Sequence, residues 1–155
     1  MKRYLCMLAF ALLTPSLGLA QASLTGTYKL VAFQLNLDGK PTTGAMGSNP
    51  QGYLFITPKY YVHSYTAKER KFGTSVEDKA ALWDSLNFYA GPYETAGDKI
   101  TVTVDVSFNQ LWNGTKQTRT ISRDGNRLTL TSAPIPYPRD PSKTVVSRLT
   151  WEKVE

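Results

Sequence analysis

His63 is the only histidine in the chain and Cys6 the only cysteine. The residue types that most often carry nucleophilic, acid–base or metal chemistry are therefore nearly absent. A single histidine cannot assemble a zinc-type site, which needs several His, Cys or carboxylate ligands. A Ser–His–acid set would have to be built on His63, and no Gly-x-Ser-x-Gly turn is present to expose a serine. Neither common spacing of a phosphate-cradling glycine loop occurs. Glu94 and Asp105 could make a carboxylate pair, but nothing in the pattern brings them together. No metal and no cofactor are expected. What the chain does hold is a cluster of aromatic and hydroxyl-bearing side chains in residues 52–66: Tyr53, Phe55, Tyr61, His63 and Tyr65. Arg119 is the other candidate, since it alternates with Gln117 and Ile121. If Ile121 points inward, the guanidinium does too, and a buried charge needs a partner. That partner can be a ligand carboxylate held by two parallel hydrogen bonds, or an internal acid such as Asp105. Together these six residues suit a hollow that holds an apolar molecule and orients its polar end.

The elements that would position them follow from period-2 alternation, with turn signals about every ten residues. Residues 26–37 (GTYKLVAFQLNL) form a long strand ended by Asp38-Gly39, followed by a Gly-, Thr- and Pro-rich loop at 40–49. Strands at 52–57 and 61–66 make a hairpin around Pro58-Lys59. Strands follow at 88–94, at 99–108 with Ile100, Val102, Val104, Val106 and Phe108 on one face, and at 115–122 and 127–131 around Asp124-Gly125-Asn126. A proline-rich excursion at 134–141 precedes the last strand, 144–154. One helix interrupts the series, opened by a Thr74–Glu77 capping box and carrying an Ala80, Trp83, Leu86 stripe that must dock on something. Trp83 is assigned to packing, and Trp151, in phase with Leu149, to plugging the interior. Eight sequential strands and one short helix predict an all-β fold, an eight-stranded antiparallel up-and-down barrel, because closure removes the sheet edges. A two-sheet sandwich would need more long crossings.

The ordered segments GTYKLVAF, NPQGYLFITPKYYV, NFYAGPYETAGDKITVTV, LWNG, QTRTISRDGNRLTLT and LTWEKVE resemble the lipocalin-like domain proteins of bacteria and fungi. Gly26-Thr27-Tyr28 is similar to the Gly-x-Trp opening of lipocalins, with Tyr28 in the tryptophan place. The resemblance implies an antiparallel barrel with a central cavity. Val102 and Thr103 stand where relatives often carry histidines, so histidine-based chemistry does not carry over. The resemblance also bears on the hairpin. Relatives often carry Gly where this chain has Tyr60, which favours a three-residue bulged loop pairing Thr57 with Tyr61, Phe55 with His63 and Tyr53 with Tyr65. All five aromatic candidates would then share the lumen face, with Leu54, Ile56 and Val62 on the other. A plain two-residue turn would split the set, and Tyr60 is an awkward occupant of the left-handed bulge position.

The remaining signals concern compartment and partners. Met1-Lys2-Arg3, an apolar run to Leu13, the break at Thr14-Pro15-Ser16 and the small residues of Ala20-Gln21-Ala22 read as a signal peptide over residues 1–22. The cleavage point is after Ala20 or Ala22, leaving a domain over 23–155. The product is expected in the periplasm or outside the cell, free of cysteine. At 155 residues and 41% apolar content the chain suits one domain rather than a disordered or membrane-spanning one. Its net charge of +6 is scattered, with no basic run for nucleic acid. The expected role is binding of a small hydrophobic molecule in the barrel, rather than catalysis. Two other classes remain. One is a cyclase or isomerase that positions a substrate while a tyrosine or His63 moves a proton. The other is an interaction module that uses the loops at 40–49 and 134–141.

Overall fold

Strand-forming alternation becomes a single closed sheet in the computed structural model, which describes residues 24–137 and 140–155. The expected leader, with Cys6, lies outside the described residues. The elements are β1 (Gly26–Leu37), β2 (Lys40–Thr42), β3 (Gln51–Ile56), β4 (Tyr60–Thr66), α1 (Val76–Asp84), β5 (Leu86–Ala96), β6 (Lys99–Thr103), β7 (Val106–Ser107), β8 (Lys116–Asp124), β9 (Arg127–Ser132), β10 (Ile135–Tyr137) and β11 (Asp140–Lys153). Eight of them pair antiparallel in chain order, β1–β3–β4–β5–β6–β8–β9–β11, and β11 returns to pair with β1. This is the expected eight-stranded up-and-down barrel. The short β2, β7 and β10 pair along β1, β5 and β11. Val31 is bulged out of the closing ladder between Leu30 and Ala32, which adds the local twist that closure needs.

Chain order sorts the connections by end. At one end lie the tight turns β3–β4, β5–β6 and β8–β9, together with the two chain ends of the barrel. At the other lie the long connections: 38–50, 67–85 with α1, 104–115 and the segment that follows Ser132. The closed half is solid. Trp151, Tyr61, Tyr89, Leu54, Ile56, Ile100, Leu128, Leu130 and Val102 are all fully buried, as is Val104 where β6 gives way to the 104–115 connection. Trp151 pairs across the seam with Leu30 on one side and Leu128 on the other, which makes it the interior plug expected of it. Tyr28 is buried near the closed end, donating from its hydroxyl to the Leu24 carbonyl at 2.7 Å.

Several local expectations are corrected. The hairpin at Pro58-Lys59 is a plain two-residue turn, pairing Ile56 with Tyr61, Leu54 with His63 and Tyr53 with Ser64. The Thr57 side chain holds it: Thr57 Oγ1 accepts from the Tyr60 amide at 2.9 Å and from the Lys59 amide at 3.3 Å. No left-handed residue is then needed at Tyr60. Tyr53 and Phe55 consequently face outward, 47% and 44% exposed and stacked on each other, not into the lumen. The helix cap sits one residue later than Thr74–Glu77. Ser75 Oγ accepts from the Asp78 amide at 3.0 Å, and Asp78 returns the bond to the Ser75 amide, because side-chain-free Gly73 leaves room for that carboxylate. No residue of α1 is buried and Leu86 belongs to β5, so the helix presents no docked apolar stripe.

The expected strand 99–108 is broken. Pairing with β5 runs Tyr93–Val102 and then Ala90–Val106, so the partner chain advances one residue more than β5. That extra residue reverses the alternation and turns Val106 outward, half-exposed, while Val102 and Val104 stay inside. The break sits against Gly91, where a Cβ would land on the Thr103 carbonyl oxygen, and the Asp105 amide reaches the Ala90 carbonyl at 2.9 Å. Gly91→Ala should lower stability by about 3 kcal/mol through this overpacking, measured as a shift in the urea midpoint. An unchanged midpoint would mean that close backbone approach does not hold the break.

Candidate functional site

Cross-strand partners in a sheet share a face, so register alone assigns which side chains look inward. Gly52, Tyr65 and Asn87 form one such row, Leu54, His63 and Tyr89 the next, and Ile100, Arg119 and Ser132 a third. Above the solid layer the barrel is hollow. A cavity of ≈ 320 Å³ opens among the long connections, at the lower end of the size range of small-molecule sites. Its walls are apolar: Phe33, Leu35, Met46, Phe108, Trp112 and Val145 among others. Trp83, from the end of α1, packs against Phe108 at 5.3 Å between ring centroids and covers part of the rim. The packing expected of Trp83 is therefore only partial: it stays 53% exposed, and its partner lies in a loop and not in the core.

Polar groups also line the cavity, Thr43, Asp84 and Asn109 from the connections and others from the strands. Of the candidates read from the sequence that stay inside, Tyr65 and Arg119 line the cavity, together with Asn87, Gln117 and Ser132. Tyr61 and His63 lie beneath it, 1% and 3% exposed. The pattern alone did not single out Asn87, Gln117 and Ser132. Their inward parity on β5, β8 and β9 is the signal that could have found them.

His63 is fully committed to the protein. Its Nε2–H donates to Asn87 Oδ1 at 2.8 Å, and the Tyr61 hydroxyl donates to its Nδ1 at 2.9 Å. Since a carboxamide oxygen can only accept, this pairing fixes the Nε2–H form of a neutral imidazole. The ring is boxed by Tyr61, Tyr65, Tyr89 and Trp151, with Tyr89 nearest at 4.0 Å between centroids. Burial drives its pKa down to about 3. The Asn87 bond opposes that shift, and the Arg119 charge adds to it. The phenols of Tyr61 and Tyr65 are pushed above the usual tyrosine range, chiefly by burial, with Arg119 pulling both back. Neither is a ready proton donor at neutral pH.

Arg119 occupies the boundary between solid and hollow. Ile100 and Ser132, its partners on either side, are both buried. Its hydrogen bond to protein is a long one, Nη1 to the Thr118 carbonyl at 3.4 Å. No carboxylate among the described residues lies within ion-pair distance of it; Asp105 is on the exposed side of the β6–β7 break, and Glu94 pairs with Lys116. Among the described residues no cluster of His, Cys, Asp or Glu could hold a metal ion.

A family model described as a lipocalin-like domain matches residues 25–154. No curated protein and no solved structure matches the chain.

Because His63 is the only histidine, its buried neutral state has a clean thermodynamic signature. Its folded pKa of about 3 lies below the unfolded 6.5, so unfolding takes up a proton between those values. Stability should be full above about pH 6.5 and fall as pH drops, by up to about 1.4 kcal/mol per pH unit. Denaturant titrations from pH 7.5 to 5.5 should show this slope in the native protein and a flatter one in His63→Gln. Equal slopes would mean that His63 is solvated in the fold.

Proposed function

The chain belongs to the lipocalin-like domain family, and from that premise we propose that it binds a small, mostly apolar molecule in the cavity at the open end of its barrel. The observation that carries the proposal is the ≈ 320 Å³ hollow itself, walled by aromatic and aliphatic side chains with a few polar groups at its inner end. Burial of ligand surface at about 25 cal/mol per Å² supplies the affinity, and the polar groups set the orientation. Tyr65 and Arg119 would touch the ligand. Tyr61 and His63 would act one layer below, holding Asn87 and supporting Tyr65. Tyr53 and Phe55, on the outer wall, take no part.

Binding is favoured over turnover by the same geometry. The histidine that a cavity-based cyclase or isomerase would use is buried under the site, neutral and doubly hydrogen-bonded, and it does not line the cavity. We also propose that the protein works after export, on the strength of the leader pattern in residues 1–22. The intact mass of protein recovered from the producing cell's periplasm or medium should then correspond to a chain starting at Gln21 or Ser23. A mass that retains Met1 would remove that part of the proposal.

N-phenyl-1-naphthylamine, a neutral apolar fluorophore, tests the cavity. It should bind with one site per chain and gain emission. Ala45→Trp, at the exposed rim, should weaken it roughly tenfold by narrowing the mouth. Phe55→Ser, on the outer wall, should leave it unchanged. Loss of the signal in Phe55→Ser with none in Ala45→Trp would place the dye on the outside and sink the proposal.

A further inference from the structure

Building on the cavity binding proposed above, we infer that the ligand is an amphiphile with a single carboxylate, seated head-inward on Arg119. The guanidinium lies inside the barrel between buried Ile100 and Ser132, lines the cavity and pairs with no acid among the described residues. Its long bond to the Thr118 carbonyl leaves most of its N–H donors without an acceptor among the described residues. A charge held in a mostly apolar enclosure is costly until a counter-charge arrives.

The surroundings select the counter-charge. Asp84, an acid in the described lining, stands at the end of α1 and already interacts with another group. The inner polar side chains that share the lining with Arg119, namely Gln117, Ser132, Asn87 and Tyr65, are neutral at physiological pH. One positive charge with neutral neighbours matches one negative charge, which a carboxylate carries and a dianionic phosphate exceeds. A carboxylate also fits the planar guanidinium fork with two parallel hydrogen bonds. The rest of the wall carries large apolar surface from Phe33, Leu35, Phe108, Trp112 and Trp83, with Thr43, Asn109, Tyr137 and Ser147 among them, so the rest of the molecule is mostly hydrocarbon or aromatic. Head inward and tail outward is the only orientation that satisfies both ends.

Decanoate and decanamide separate charge from shape, with displacement of N-phenyl-1-naphthylamine at pH 7.5 as the readout. The wild-type chain should bind decanoate roughly tenfold or more tighter than decanamide. Arg119→Gln should abolish that preference, and a far-UV circular dichroism spectrum matching that of the wild type shows that the variant is folded. Arg119→Lys should keep part of it. The thermal midpoint of ligand-free Arg119→Gln should equal or exceed that of the wild type, since an unpaired charge has been removed. Equal affinity for the two ligands, a preference that survives Arg119→Gln, or a marked fall in the midpoint would overturn the inference. If the fluorophore binds but neither decanoate nor decanamide displaces it, the carboxylate inference fails and cavity binding stands. If the fluorophore itself does not bind, the cavity reading fails and takes the inference with it.

Discussion

The pairing of β11 back onto β1 is the constraint from which the rest follows. Once the sheet closes, eight strands enclose a lumen of nearly fixed cross-section, about wide enough for side chains or for one small guest. Whether it is solid or hollow then depends only on what each inward residue brings. In the closed half, Trp151, Tyr61 and Tyr89 with branched aliphatics fill it. Beyond them the lumen stays open, lined from its inner end by Ser132, Gln117 and Asn87.

Between the halves lies a polar layer, and its members are satisfied to different degrees. A buried polar group is tolerable when its hydrogen bonds are made and costly when they are not. Tyr61, His63 and Asn87 complete each other in a chain of two bonds, which locks the imidazole in one neutral form. This layer stiffens the floor of the cavity and withdraws the sole histidine from chemistry. Arg119, by contrast, is positioned by its strand register and left with little to bond. The two sets thus differ in how far the protein itself satisfies them.

The connections reinforce that division. Tight turns gather at the closed end, where they shorten the chain over a packed interior. The long segments, including α1 with its exposed Trp83, crowd around the mouth. No residue of α1 is buried, so this part of the rim depends on few contacts.

Much of this was legible in the chain itself, and the reason is that it depends on local pattern. Alternation in 26–37, 99–104 and 127–131, the turn signals between strands, and the count of strands led to the barrel. The inward parity of Arg119 with Ile121 and the interior place of Trp151 followed from the same period of two. The histidine's isolation was visible from composition. What pattern could not decide was phase. Whether Thr57 caps the hairpin through its hydroxyl, whether Gly91 lets a neighbouring strand slip by one residue, and whether Ser75 or Thr74 starts the helix are each matters of a single residue. In a strand, one residue is the difference between inside and outside. Tyr53 and Phe55 went to the outer wall, and Val106 with them, for that reason alone. The hollow, too, belongs to tertiary structure, because empty space is a property of side chains that meet from opposite walls, far apart in the chain.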